Sequence, residues 1–116
     1  MGKSILKDKS YEFAVLVVRL CQDLVMEKRE FVLSKQLLRS GTAVGALIRE
    51  AEFAESKKDF THKMSISLKE ANESLYWLDI LKDTSYINEN QYKVYYSLNK
   101  ELVAMLVSSI KTSKSK

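Results

Sequence analysis

Apolar residues recur along this chain at the three- and four-residue spacing of an α-helix, in four stretches separated by short polar breaks. Over about residues 9–26, Phe13, Leu16, Val17, Leu20, Cys21 and Leu24 share one side of a helical wheel, while Glu12, Arg19 and Asp23 fall opposite, and Asp8 is the candidate N-cap. The charged run Glu27, Lys28, Arg29, Glu30 then predicts a short connection. A second helix is predicted over 34–54, with Leu37, Leu38, Gly41, Val44, Gly45, Ile48 and Ala51 on one face. Gly41 and Gly45 each cost a helix about 1 kcal/mol relative to alanine. They imply close approach of a neighbouring helix or, alternatively, a local kink.

The third helix, 57–82, has the clearest start: Ser56 is placed to cap it and Asp59 sits at the N3 position of a capping box. Phe60, Met64, Leu68, Ala71, Leu75 and Leu78 follow in register. The fourth, 89–110, begins at Asn88 with Gln91 at N3 and with Ile87 and Tyr92 as a hydrophobic staple. Its inward face is Val94, Tyr95, Leu98, Leu102, Met105 and Leu106. Four amphipathic helices with short links predict an all-α, antiparallel up-down-up-down four-helix bundle in a single domain, followed by a frayed basic tail over 111–116.

The last two helices carry more apolar surface than one core needs. Ile66, Trp77, Ile80 and Leu81 on the third, and Tyr92, Tyr96, Val103, Val107 and Ile110 on the fourth, lie outside the main stripe. These nine residues are the candidate oligomer interface, the alternative being wider packing inside the chain.

Composition agrees with helices, since the chain has no proline and three glycines. The N-terminus shows no apolar signal core, no run reaches a membrane span, and one cysteine permits no internal disulfide, which predicts a soluble, cytoplasmic protein. The net charge of +4 is concentrated at the end, where residues 87–116 hold five basic and two acidic side chains. Lys111, Lys114 and Lys116 either attract phosphate or only solubilise the terminus.

Candidate catalytic chemistry is sparse. His62 is the single histidine, no Glu-x-x-His pair supports a di-iron site, and no phosphate-cradling glycine loop occurs, so no cofactor, metal or catalytic residue is assigned. Glu70 and Glu73 lie one turn apart and could in principle act as an acid–base pair, but they sit among Lys63, Lys69 and Ser74, where ordinary surface ion pairing explains them. The expectation is therefore a protein that is not an enzyme. Lys35, Arg39 and Arg49 share a stripe of the second helix with Thr42 and Ala46 between them, and Lys57, Lys58 and Lys63 extend it, although Glu55 and Asp59 dilute it. Lys35, Arg39, Arg49, Lys57 and Lys58 are the nucleic-acid-binding candidates; a plain solvated face is the other reading.

Gln36, Arg39, Ser40, Ala43, Val44, Ile48, Glu50 and Ala51, followed by Asp59, Phe60, Lys63, Met64, Leu68, Glu70, Ala71, Glu73, Tyr76, Trp77 and Leu78, resemble the four-helix-bundle proteins encoded in intervening sequences of bacterial 23S ribosomal RNA genes. That family is related to the accessory variability determinant proteins of diversity-generating retroelements. The resemblance implies a homopentamer with a positively charged, nucleic-acid-binding surface (RNA or DNA) and, in the retroelement branch, a reverse transcriptase partner. Leu47 and Gly45 depart from the asparagine and preceding proline of many relatives, so no polar role carries over there. The functional expectation is a non-enzymatic, homo-oligomeric accessory protein that associates with nucleic acid; the alternative is an adaptor oligomer that binds another protein and no nucleic acid.

Overall fold

The computed structural model describes the backbone of residues 2–115 and the side chains from Ile5 to Ser115. Within it lie α1 (Gly2–Lys28), α2 (Leu33–Ala51), α3 (Lys57–Asp83) and α4 (Glu89–Lys114). Each helix packs on its sequence neighbours and α4 closes the ring onto α1, giving a bundle of 47 × 22 × 22 Å. Cross-helix bonds fix the directions. Lys7 reaches Glu52 at 3.1 Å, the Ser67 hydroxyl donates to the Val44 carbonyl at 2.8 Å, the Asn99 amide donates to the Ala71 carbonyl at 2.8 Å, and the Tyr95 hydroxyl donates to the Leu16 carbonyl at 3.0 Å. With the Cys21–Ser34, Ser74–Ser40, Tyr92–Asp79 and Lys9–Glu101 pairs they show position rising on one helix as it falls on its neighbour, so adjacent helices run antiparallel.

The core follows the predicted stripes except at Leu38 and Val94, which lie at their margins and are 39% and 55% exposed. Phe13, Val17, Leu24, Leu37, Val44, Ala71, Leu78, Leu102 and Leu106 are all buried. The glycines sit at close approaches of α1: a Cβ at Gly41 would lie 2.8 Å from a Val17 methyl, and one at Gly45 would lie 3.2 Å from the Ser10 hydroxyl. Small polar residues fill the α2–α3 contact, where the Ser40 and Ser74 hydroxyls meet at 3.0 Å.

Three boundaries differ from the sequence reading by three residues or more, each for a local reason. Helix α1 begins at Gly2 and encloses Asp8, because Leu6, two turns before Phe13, is buried and extends the core stripe. Helix α2 stops at Ala51, and the Phe53 and Ala54 N–H groups tighten onto the Glu50 and Ala51 carbonyls at 3.0 and 3.1 Å. Helix α4 continues to Lys114, so the expected frayed tail is helical up to there, while Lys116 lies outside the described residues.

The caps explain the turns. Ser56 accepts from the Asp59 N–H at 3.0 Å, as the pattern predicts, but the Asp59 carboxylate reaches back to the Glu55 N–H at 3.2 Å instead of Ser56. Asn88 and Gln91 form the full capping box, at 2.8 and 3.1 Å. Helix α2 has no side-chain cap from Val32; Glu30, four residues before Ser34, supplies it from inside the connection. Its carboxylate accepts from the N–H groups of Val32, Leu33 and Ser34 at 3.1, 2.9 and 2.7 Å, and the Ser34 hydroxyl returns a bond to the Glu30 carbonyl at 2.9 Å. Burial alone would raise the Glu30 pKa, yet these bonds outweigh it and hold the carboxyl below its usual range.

Candidate nucleic-acid interface

The stripe of α2 that sequence spacing marks for phosphate is largely engaged within the chain. Arg39 reaches Glu70 at 3.4 Å and pairs with Glu73, which also accepts from the Trp77 indole at 3.1 Å. The Trp77 bond first, and then Arg39, keep the Glu73 carboxyl below its ordinary range in spite of its partial desolvation; Glu73 in turn holds the guanidinium above its own. The one-turn pair Glu70 and Glu73 thus anchors Arg39, a partner on another helix that local spacing does not reveal. Arg49 lies over the Tyr11 ring at 5.6 Å, and Lys63 bridges Asp59 and Glu50 at 3.6 and 4.0 Å. Lys35 lies apart from these, on an apolar groove between α1 and α2.

The other two candidates, Lys57 and Lys58, stand where α3 begins. The helical extension of α4 brings Lys114 beside them, a neighbour fifty-odd residues away that the frayed-tail reading hides. Together with Asp59, Thr61, His62, Ser65 and Ser113 these three lysines line an open groove of about 640 Å³. The Thr61 and Ser113 hydroxyls bond across its α3–α4 seam. Lys57, Lys58 and Lys114 are exposed and pair with no carboxylate among the described residues, while Asp59, the groove's single acid, is occupied by Lys63. Lys57 and Lys58 occupy the first turn of α3, the positive end of its dipole, where a cation typically costs a few tenths to about 1 kcal/mol. A bound anion would relieve both that repulsion and the mutual repulsion of the lysines.

The apolar surface is also placed differently from the sequence expectation. Leu81 is fully buried and Ile110 nearly so, hence both belong to the core of one chain; they sit on the inward arcs of helices that wrap further around the core than the wheel suggests. Trp77, Tyr92 and Val103 are half-buried against that core, and the Tyr92 hydroxyl is tied to Asp79. Ile66, Ile80 and Val107 are half-buried and Tyr96 is exposed beside Tyr92. The larger exposed apolar group lies elsewhere, at the α1–α2 corner, where Met26, Phe31 and Val32 are 77%, 53% and 70% exposed. Its signal in the sequence was the Phe31–Val32 pair directly after the charged run, outside any helical register.

Residues 3–108 match the model of the 23S rRNA-intervening sequence proteins. The chain belongs to that family. A crystal structure of a protein of unknown function from the S23 ribosomal protein family of Bacteroides thetaiotaomicron is similar along its whole length, with 52% identity over 96% of this chain and 99% of that one, and a TM-score of 0.94. No curated protein matches the sequence. The stretch shared with the intervening-sequence proteins contains Lys57 and Lys58, whereas Lys114 lies beyond it. Among the described residues no cluster of His, Cys, Asp or Glu is arranged to hold a metal ion, and no helix is long and apolar enough to cross a membrane.

Proposed function

We propose that this intervening-sequence protein is a non-enzymatic, self-associating bundle that holds the phosphate backbone of nucleic acid at the α3–α4 end. One observation carries the reading: Lys57, Lys58 and Lys114 converge on one open groove with no carboxylate partner among the described residues, at the start of α3, which favours anions. A single protomer offers three such cations, and binding of this kind is weak. Self-association multiplies it, because contacts in neighbouring subunits become effectively intramolecular once the first is made. Arg39 and Arg49 contribute less than their spacing suggests, since releasing either one gives up an internal partner.

The test is binding of generic single- and double-stranded RNA and DNA followed against salt. Binding should weaken steeply with salt, and Lys57→Glu with Lys58→Glu and Lys114→Glu should lower the log–log slope by about 2 to 3 per protomer, near 0.9 for each lost phosphate contact. Arg39→Ala should change it little. No binding at low salt would remove the nucleic-acid reading and leave an adaptor that recognises another protein.

A further inference from the structure

The corner between α1 and α2 holds a groove of about 430 Å³ walled by Val18, Val25, Met26, Phe31 and Leu38, with Lys35 as its one charged residue and no carboxylate among its lining. Such a surface fits an apolar side chain that carries an acid one helical turn away. The chain itself displays a short set of exposed apolar residues that can be tested against that description. Tyr96 has Lys100 over its ring, and Tyr11 is covered by Arg49, so both present positive surroundings. Phe53 follows Glu52, but Glu52 is held by Lys7, and Phe53 lies in the α2–α3 turn at the other end of the 47 Å bundle.

One stripe remains. Tyr76, 58% exposed, is followed one turn later by half-buried Ile80 and then by Asp83, whose side chain is 74% exposed even with Lys82 at 3.7 Å. The spacing of four and then three puts these residues on one face of α3. That stripe and the groove occupy the same half of the bundle, since α3 ends where α2 begins. We infer that the groove between α1 and α2 of one copy receives the Tyr76–Ile80–Asp83 stripe of α3 from a second copy, with Lys35 facing Asp83. The contact is heterologous: two different patches meet, and each copy keeps one of each free for the next. At equal height along the bundle, repetition of the contact leads round a ring and not along an end-to-end fibre.

The inference rests on the self-association proposed above, and the experiment separates the two. Masses are measured by light scattering during gel filtration on the full chain, at a concentration where the native protein is assembled. Met26→Glu and Tyr76→Glu, both at exposed positions, should each reduce the mass to the 13.4 kDa protomer with helical circular dichroism unchanged. Lys35→Glu and Asp83→Lys should each do so partly, and the two together should restore the native mass. Phe53→Ser should leave it unchanged. A native protein of protomer mass would overturn self-association and this interface together. An assembly that withstands Met26→Glu and Tyr76→Glu, or whose charge reversals are not mutually restored, would overturn the interface alone.

Discussion

Substituting the two α2 glycines separates packing from helix propensity. Each Gly→Ala change gains about 1 kcal/mol of propensity in a helix interior. At Gly41 the new Cβ would meet both Val17 methyls, at 2.8 and 2.9 Å, and the Val17 Cβ at 3.2 Å, so no rotation of Val17 relieves the clash. Val17 is completely buried and β-branched, hence stiff. Overpacking of this kind typically costs 1–3 kcal/mol, leaving Gly41→Ala destabilised by about 1 kcal/mol net, or roughly 3–6 °C in Tm for a domain of this size. At Gly45 the nearest atom is the Ser10 hydroxyl at 3.2 Å, on a side chain that can turn, and Gly45→Ala should stabilise by about 0.5 kcal/mol. Urea unfolding followed at 222 nm measures both. The sharper test is a cycle: in a Val17→Ala background, itself weakened by about 1–3 kcal/mol, Gly41→Ala should change sign and stabilise. If Gly41→Ala stabilises the native sequence as Gly45→Ala does, close approach at Val17 is not what selects glycine there.

Other consequences are as direct. Glu30 has a folded pKa below its unfolded value, so its cap contributes fully above about pH 4.3 and is lost as pH falls through the lower folded value; Glu30→Gln should weaken the protein at neutral pH by about 1 kcal/mol and flatten the acid limb of its pH–stability curve. Ser85 takes a left-handed φ of 69° in a Schellman turn, where the Tyr86 N–H bonds the Leu81 carbonyl at 2.9 Å, so Ser85→Gly should raise stability by about 0.5–1 kcal/mol in the same urea assay. Burial first, and Glu30 second, push the Cys21 thiol up to about 11, and native protein at pH 8 should resist iodoacetamide while the urea-unfolded chain reacts. Asn88→Ala removes the side-chain acceptor of the Gln91 N–H, one half of the α4 capping box, and should cost about 1 kcal/mol.

Most of the architecture is written in local signals: the stripes of Phe13 to Leu24 and Met64 to Leu78, the Ser56 and Asn88 caps, and the glycine pair. What failed to show were features carried by unlike residues in familiar roles. A glutamate in a charged run reads as connection, yet Glu30 caps α2; a serine after a helix reads as loop, yet Ser85 takes the position glycine usually fills. The start of α1 was obscured because Asp8 is a plausible cap, and only the burial of Leu6 against other helices overrides it.

The basic surface illustrates a different limit. Periodicity on α2 puts Lys35, Arg39 and Arg49 on one stripe, but alignment on one helix says nothing about what the next helix brings: Arg39 turns to α3, Arg49 to Tyr11 of α1 and Lys35 to the α1–α2 groove. Antiparallel packing delivers Glu70 and Glu73 to Arg39, and the same packing delivers Lys114 to Lys57 and Lys58. Each helix face by itself is an ordinary mixture of charges. Their juxtaposition neutralises one patch and concentrates another at the start of α3, where the positive end of that helix's dipole adds to it. Charge reversal at Lys58 and at Arg39 should therefore have opposite balances: Lys58→Glu should improve the first turn of α3 by up to about 1 kcal/mol while weakening phosphate attraction, whereas Arg39→Glu should destabilise the α2–α3 contact by setting three carboxylates together. Paired stability and salt-titration measurements on these two variants test the assignment, and a Lys58→Glu protein that loses stability would overturn it.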